Sequence, residues 1–112
     1  MATKADLRRM VLLELKVIAH VTQAPSQTQA DTCDLWIDGV RSMLLEVGLC
    51  WWDEDSIPSG VMIPLSKLIA SQSCGAFGKN GKDHEAKEWP ARNQLAGLKS
   101  SAETETTRAT YF

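Results

Sequence analysis

Residues 26–48 read SQTQADTCDLWIDGVRSMLLEVG, and this stretch decides the fold class. Ser26 is followed three residues later by Gln29, an arrangement in which the two side chains satisfy two orphan backbone groups at a helix start. Beyond it Ile37, Val40, Leu44 and Val47 step by 3, 4 and 3 residues, which is one face of a helix, and Leu35, Trp36 and Met43 widen that face. Asp31, Asp34, Asp38, Arg41 and Glu46 supply a wet side, and Gly48 a stop. A helix over 26–47 spans ~33 Å at about 1.5 Å per residue, long enough to serve as the spine of a small domain.

Working outward, the same reasoning predicts three more helices. Thr3 with Asp6 offers a hydroxyl cap, and Leu7, Met10, Val11, Leu15 and Ile18 carry a helix over about 4–20. Leu12, Leu13 and Val17 give it a second apolar face, so it is expected to sit between neighbours, some of them in other subunits. A third helix starts near Asp55 or Ser56, either of which caps it, with Pro58 in its first turn, and runs to about Ala76. Pro64 removes one ladder hydrogen bond and is expected to kink it or shift its start. After the turn residues 78–83, a fourth helix is predicted over 83–98, bent or split at Pro90. The expected architecture is all-α, a bundle of about four helices over 1–98, followed by an extended tail over 99–112.

That tail is Thr-rich and polar until Tyr111 and Phe112, and cannot alone bury enough surface to offset the entropy of ordering it. Two aromatics ending a polar segment make anchors for another protein's pocket. The chain as a whole has 112 residues, 12 Lys+Arg against 14 Asp+Glu and a formal charge of −2, without the basic excess of an electrostatic nucleic-acid binder. No apolar run approaches the ~20 residues of a membrane span, and the first residues do not read as a signal peptide, so a cytoplasmic site of synthesis is expected.

Candidate chemistry is sparse. Cys33, Cys50 and Cys74 are spaced by 17 and 24 residues, neither a disulfide framework nor a metal motif, and are read as buried reduced thiols. Asp53, Glu54 and Asp55 lack the alternation and glycine of a calcium loop, so helix capping is their simplest role. His20 and His84 have no partner at ligand spacing, and no serine sits in a nucleophile elbow. The chain is therefore read as a non-enzyme, with no catalytic residues, cofactor or metal.

Interaction signals are stronger. Trp51 and Trp52 have acidic neighbours, which argues against base stacking and favours core packing for one and an intersubunit contact for the other. Charge is uneven: Lys4, Arg8, Arg9 and Lys16 against Asp6 and Glu14 leave +2 over residues 1–20, whereas Arg41 against seven acids leaves −6 over 21–56. A basic edge holding Arg8 and Arg9 could meet an acidic edge holding Asp53, Glu54 and Asp55 on the next copy, a head-to-tail contact whose repetition closes a ring. A small helical regulatory or binding module, docking a basic partner through Trp51-Trp52 and the acidic patch, is the alternative.

In order along the chain, Leu44-Leu45-Glu46-Val47-Gly48-Leu49, Trp52-Asp53-Glu54-Asp55-Ser56-Ile57-Pro58, Pro64-Leu65-Ser66-Lys67-Leu68-Ile69-Ala70 and Ala76-Phe77-Gly78 resemble the head-to-tail adaptors of tailed bacteriophages. These are the tail accessory factors, also called packaged-DNA stabilisation or head-completion proteins. The resemblance implies a helical virion protein, usually in twelve copies, that binds the portal ring after packaging, closes or extends the DNA channel, and offers a platform for tail or nozzle proteins. DNA would pass through without sequence-specific binding. It also implies a C-terminal segment that reaches up the portal, here Thr106, Thr107, Arg108, Ala109, Thr110, Tyr111 and Phe112.

Overall fold

The computed structural model describes the backbone of residues 2–20, 22–79 and 81–111, with side chains in those ranges except at 83 and 101–111. Its elements are α1 (Lys4–Glu14), α2 (Gln27–Glu46), α3 (Ser59–Ser73), a 3-10 turn (Cys74–Phe77) and α4 (Gly81–Tyr111). The described residues are thus all-α, as the periodicities predict, apart from two isolated antiparallel bridges, Ala2 with Ile57 and Asp53 with Ser56.

Both expected capping boxes form. Thr3 Oγ1 accepts from the Asp6 N–H at 3.4 Å while Thr3 N–H donates back to the Asp6 carboxylate at 3.0 Å. Ser26 and Gln29 repeat the pattern at 3.2 and 3.0 Å. Each box satisfies donors that the first turn leaves without intrahelical partners.

The helix ends share one design. At the end of α2 the Gly48 N–H donates to Leu45 O and the Leu49 N–H to Leu44 O at 2.8 Å, with Gly48 in the left-handed region at φ +77°. Gly78 closes the 3-10 turn in the same way, at φ +68°, with Lys79 N–H on Cys74 O. The end of α1 is again this motif, with Lys16 N–H on Leu13 O and Val17 N–H on Leu12 O, but there the left-handed residue is Lys16 at φ +59°. Helix one therefore stops at Glu14 rather than near His20. Leu15 and Ile18 leave the helix and still enter the core.

The spine is α3, not α2. It packs against α4 most extensively and also against α1 and α2. Val61, Met62, Pro64, Leu65, Leu68, Ile69 and Ala70 are buried, so that little beyond Ser59, Gly60 and Ile63 faces water. Its start also differs from expectation. Pro58 is the cap residue itself and Ser56 makes no side-chain cap. Pro64 lies within the helix, and the carbonyl it leaves unbonded, on Gly60, belongs to an exposed residue.

The second apolar face of α1 is covered within the chain. Leu7, Val11, Leu12, Leu15 and Ile18 are buried and Leu13 and Val17 half-buried against the same core, so α1 leaves no large apolar face for a neighbour. On α2 the inward face is Cys33, Ile37, Val40 and Leu44, whereas Leu35 and Val47 face solvent, against the reading of the sequence.

Helix α4 turns His84, Ala91, Leu95 and Leu98 inward at steps of 7, 4 and 3. It runs through Pro90 without splitting, since the carbonyl that proline leaves unbonded, on Ala86, belongs to an exposed residue. The backbone then continues helically to Tyr111, with no proline after Pro90 to end it, instead of leaving as an extended tail after Leu98. The extended tail thus has no support in the backbone. A helix over residues 99–111 rises ~20 Å at about 1.5 Å per residue, roughly half the reach of an extended segment.

Candidate functional site

The acidic segment 31–55 divides into two halves by what it touches. Arg8 Nε and Nη2 each donate at 2.7 Å to the two oxygens of Asp34, a two-pronged pair in which both side chains are mostly covered. Lys4 Nζ lies 2.7 Å from Asp38 and 3.1 Å from Glu54, and these contacts, the Asp38 hydrogen bond foremost, hold its ammonium above the ordinary value. Asp55 accepts from the backbone N–H of Lys4 at 3.2 Å. It therefore caps a helix, as its position beside a helix start suggested, but the helix is α1, brought there by the Ala2–Ile57 bridge, and not α3.

These contacts involve several of the residues expected at a subunit edge. Arg8, Glu54 and Asp55 are engaged inside one chain, and Arg9 sits 3.7 Å from Asp6 one turn back on α1. Part of the charge that looked complementary between copies is paired within one chain, Arg8 with Asp34 and Lys4 with Asp38 and Glu54. Of that set Arg9, Trp51, Asp53, Glu54 and Asp55 are exposed, Arg8 is half-buried and Trp52 is buried.

One of the two tryptophans packs in the core, as expected, and the other does not. Trp52 is 6% exposed and belongs to the core, while Trp51 is 42% exposed and meets it edge-on, ring centres 5.9 Å apart at 85°. The Cys50 N–H donates to Leu44 O at 3.2 Å, folding the connector back beside the end of α2. Leu45 (48% exposed), Val47 (60%) and Trp51 are exposed at and after the end of α2. Glu46 and Asp53 lie among them in sequence and form no ion pair among the described residues.

A second apolar surface lies elsewhere. An open groove of about 560 Å³ runs between α3 and α4, walled by Gly60, Ile63 and Pro64 on one side and Gln94, Gly97 and Leu98 on the other. A side chain added at Gly97 would meet nothing within 4 Å, and one at Gly60 would reach only Leu98 Cδ2 at 3.8 Å, so the groove is open because both residues are glycine. Ile63, on its α3 wall, is 56% exposed. Sequence reasoning missed this groove, though Ile63 gave a signal by falling outside the Val61, Leu65, Leu68, Ile69 stripe.

The thiols behave as expected of core residues. Cys33 and Cys74 are buried, Cys50 is half-buried, and all three are free. Burial pushes the Cys33 thiol up to about 12. Among the described residues no cluster of three or more His, Cys, Asp or Glu side chains could hold a metal ion, and no helix is long and apolar enough to cross a membrane. The side chains of Thr106 to Tyr111, and the whole of Phe112, to which portal contact was assigned, lie outside the described residues.

No known protein family, no characterised protein and no solved structure matches the chain.

Proposed function

We propose that this chain is a structural assembly protein of the kind its sequence resembles, a head-to-tail adaptor that joins a phage portal ring, closes or extends the DNA channel and gives tail or nozzle proteins a platform. The observation that carries this reading is the ordered run from Leu44 to Gly78. Each of its motifs has a shaping role: Gly48 turns the chain, Trp52 and Ile57 seat the connector, Pro64-Leu65 lie in the spine, and Gly78 ends it. In this reading the chain has no catalytic step, the virion is its location, and DNA passes along it without sequence readout. The exposed apolar side chains, Leu35, Val47, Trp51, Ile63 and Trp89 among them, fit a protein whose partners are other proteins.

Mixing the purified chain with portal rings and imaging the complexes tests the proposal. Ring-shaped density at the tail-facing end of the portal is expected. Bare portals at saturating protein would overturn it. A second reading is favoured by one observation, the exposed Trp51 followed closely by Asp53, which forms no ion pair among the described residues: a module that docks a basic partner there. That reading expects binding to a basic helical peptide, lost in Trp51→Ala, and indifference to portal rings.

A further inference from the structure

Arg92, on α4, is a cation short of acceptors. Glu88, one turn back on the same helix, keeps its carboxylate 3.8 Å from Arg92 Nε and takes a 2.8 Å hydrogen bond from the Gln72 amide instead. The Trp89 ring centre lies 5.8 Å from the guanidinium carbon. Arg92 Nε is buried and has no hydrogen-bond partner. Arg92 Nη2 donates across to α2, to Met43 Sδ at 3.3 Å. A guanidinium carries five donors in a fixed fork, and a thioether sulfur is a weak acceptor, so this bond leaves the cation poorly satisfied. Met43 itself is half-buried against the edge of the core.

From this we infer that Met43 is an oxidation site whose sulfoxide is held by Arg92, so that oxidation by a peroxide tightens the contact between α2 and α4 rather than breaking it. Hydrogen peroxide passes one oxygen atom to the thioether sulfur. The O–O bond breaks, an S–O bond forms and water leaves, the sulfur losing the two electrons that the peroxide gains. Oxidised methionine ordinarily disrupts packing, because a polar group replaces an apolar one among apolar neighbours. At Met43 the new oxygen is bonded to an atom already 3.3 Å from Nη2, beside a buried Nε that lacks an acceptor. A hydrogen bond from a charged donor to that oxygen is stronger than the N–H to sulfur contact it replaces. The other described methionines lack this arrangement. Met62 is buried, and Met10, half-buried like Met43, has no hydrogen bond to its sulfur among the described residues. The modification stands apart from the assembly role, since it acts on the join between two helices of one chain.

The test treats the full chain with hydrogen peroxide and follows each methionine by peptide mass mapping. A Met43→Leu chain treated alongside subtracts the effect of the other methionines. Met43 is expected to gain one oxygen while buried Met62 is spared. In urea, oxidation at Met43 is expected to leave the unfolding constant no more than about twofold above its original value, and in an Arg92→Leu chain to raise it about tenfold, the scale of a hydrogen bond to a charged group. A Met43 that stays unoxidised while Met10 is converted overturns the inference. So does an oxidation that destabilises the chain equally with and without Arg92. Where Arg92→Leu melts too early to compare, Met43→Gln gives a second reading, because its amide oxygen stands in for that of the sulfoxide. Met43→Gln is expected to unfold with a constant no more than about twofold above that of Met43→Leu, and a larger loss overturns the inference.

Discussion

Two stretches of the same acidic segment end up in opposite situations. Asp34, Asp38, Glu54 and Asp55 turn toward α1 and are held by Arg8, Lys4 and the Lys4 backbone, while Glu46, the last residue of α2, and Asp53, in the connector, form no ion pair among the described residues. The first corner is an intramolecular clasp that fixes where α1 begins. The second pair stands exposed, with no ion-pair partner among the described residues. Composition alone does not distinguish them, because the sign of a segment's charge says nothing about which carboxylates already have a partner. The difference shows that net charge overstated how much of this segment was available for other molecules.

The largest expected contrast is between the adjacent tryptophans. Trp52→Ala should cost ~3–5 kcal/mol in urea unfolding, as a large buried ring does, whereas Trp51→Ala should cost under about 1 kcal/mol and act on association instead. Equal losses at the two positions would break the division of the segment. Next comes the clasp. Arg8→Ala should lose roughly 1–2 kcal/mol, a charged two-pronged pair discounted for its partial exposure, while Glu46→Ala stays within about 0.5 kcal/mol.

The segment's thiols give a smaller, pH-dependent contrast. Cys33 keeps its proton in the fold up to about 12, against an ordinary value of 9.0, so the unfolded chain releases that proton first. Stability from this group is therefore full below pH 9 and falls as pH rises from 9 toward 12. Lys4 works in the same direction, its contribution fading as pH passes above its raised value. Alkaline unfolding of Cys33→Ala should show a shallower decline than the unaltered chain. In native protein a thiol reagent should reach half-buried Cys50 well before Cys33. The smallest expected effect is at the end of α1, where Lys16→Gly should raise stability by ~0.5–1 kcal/mol by relieving a left-handed side-chain residue, and Gly48→Ala should lower it by a similar amount.

These particulars also mark what the sequence made legible. Local chemistry was readable: Thr3 with Asp6, Ser26 with Gln29, and the glycines at 48 and 78 all act where the pattern put them. The stop at Lys16 was not, because the same motif was built there without glycine, and continued apolar periodicity through Leu15 and Ile18 disguised it. Helix α4 was read short for the converse reason, its polar, Thr-rich end having no helix breaker although it offers no core face. The capping role of Asp55 was legible, but which helix it caps was decided by a bridge between Ala2 and Ile57, a contact no local pattern announces. For the candidate site, the exposure of one tryptophan could be foreseen. The α3/α4 groove could not, since Gly60 and Gly97 matter only once the two helices are side by side.

The division of the acidic segment is tested most directly by a double-mutant cycle in urea unfolding at the Arg8–Asp34 pair, which ties α1 to α2. Arg8→Ala, Asp34→Ala and the double variant should return a coupling of roughly 1 kcal/mol, that of a two-pronged and partly covered ion pair. A coupling indistinguishable from zero would contradict the account, since the clasp would then hold nothing.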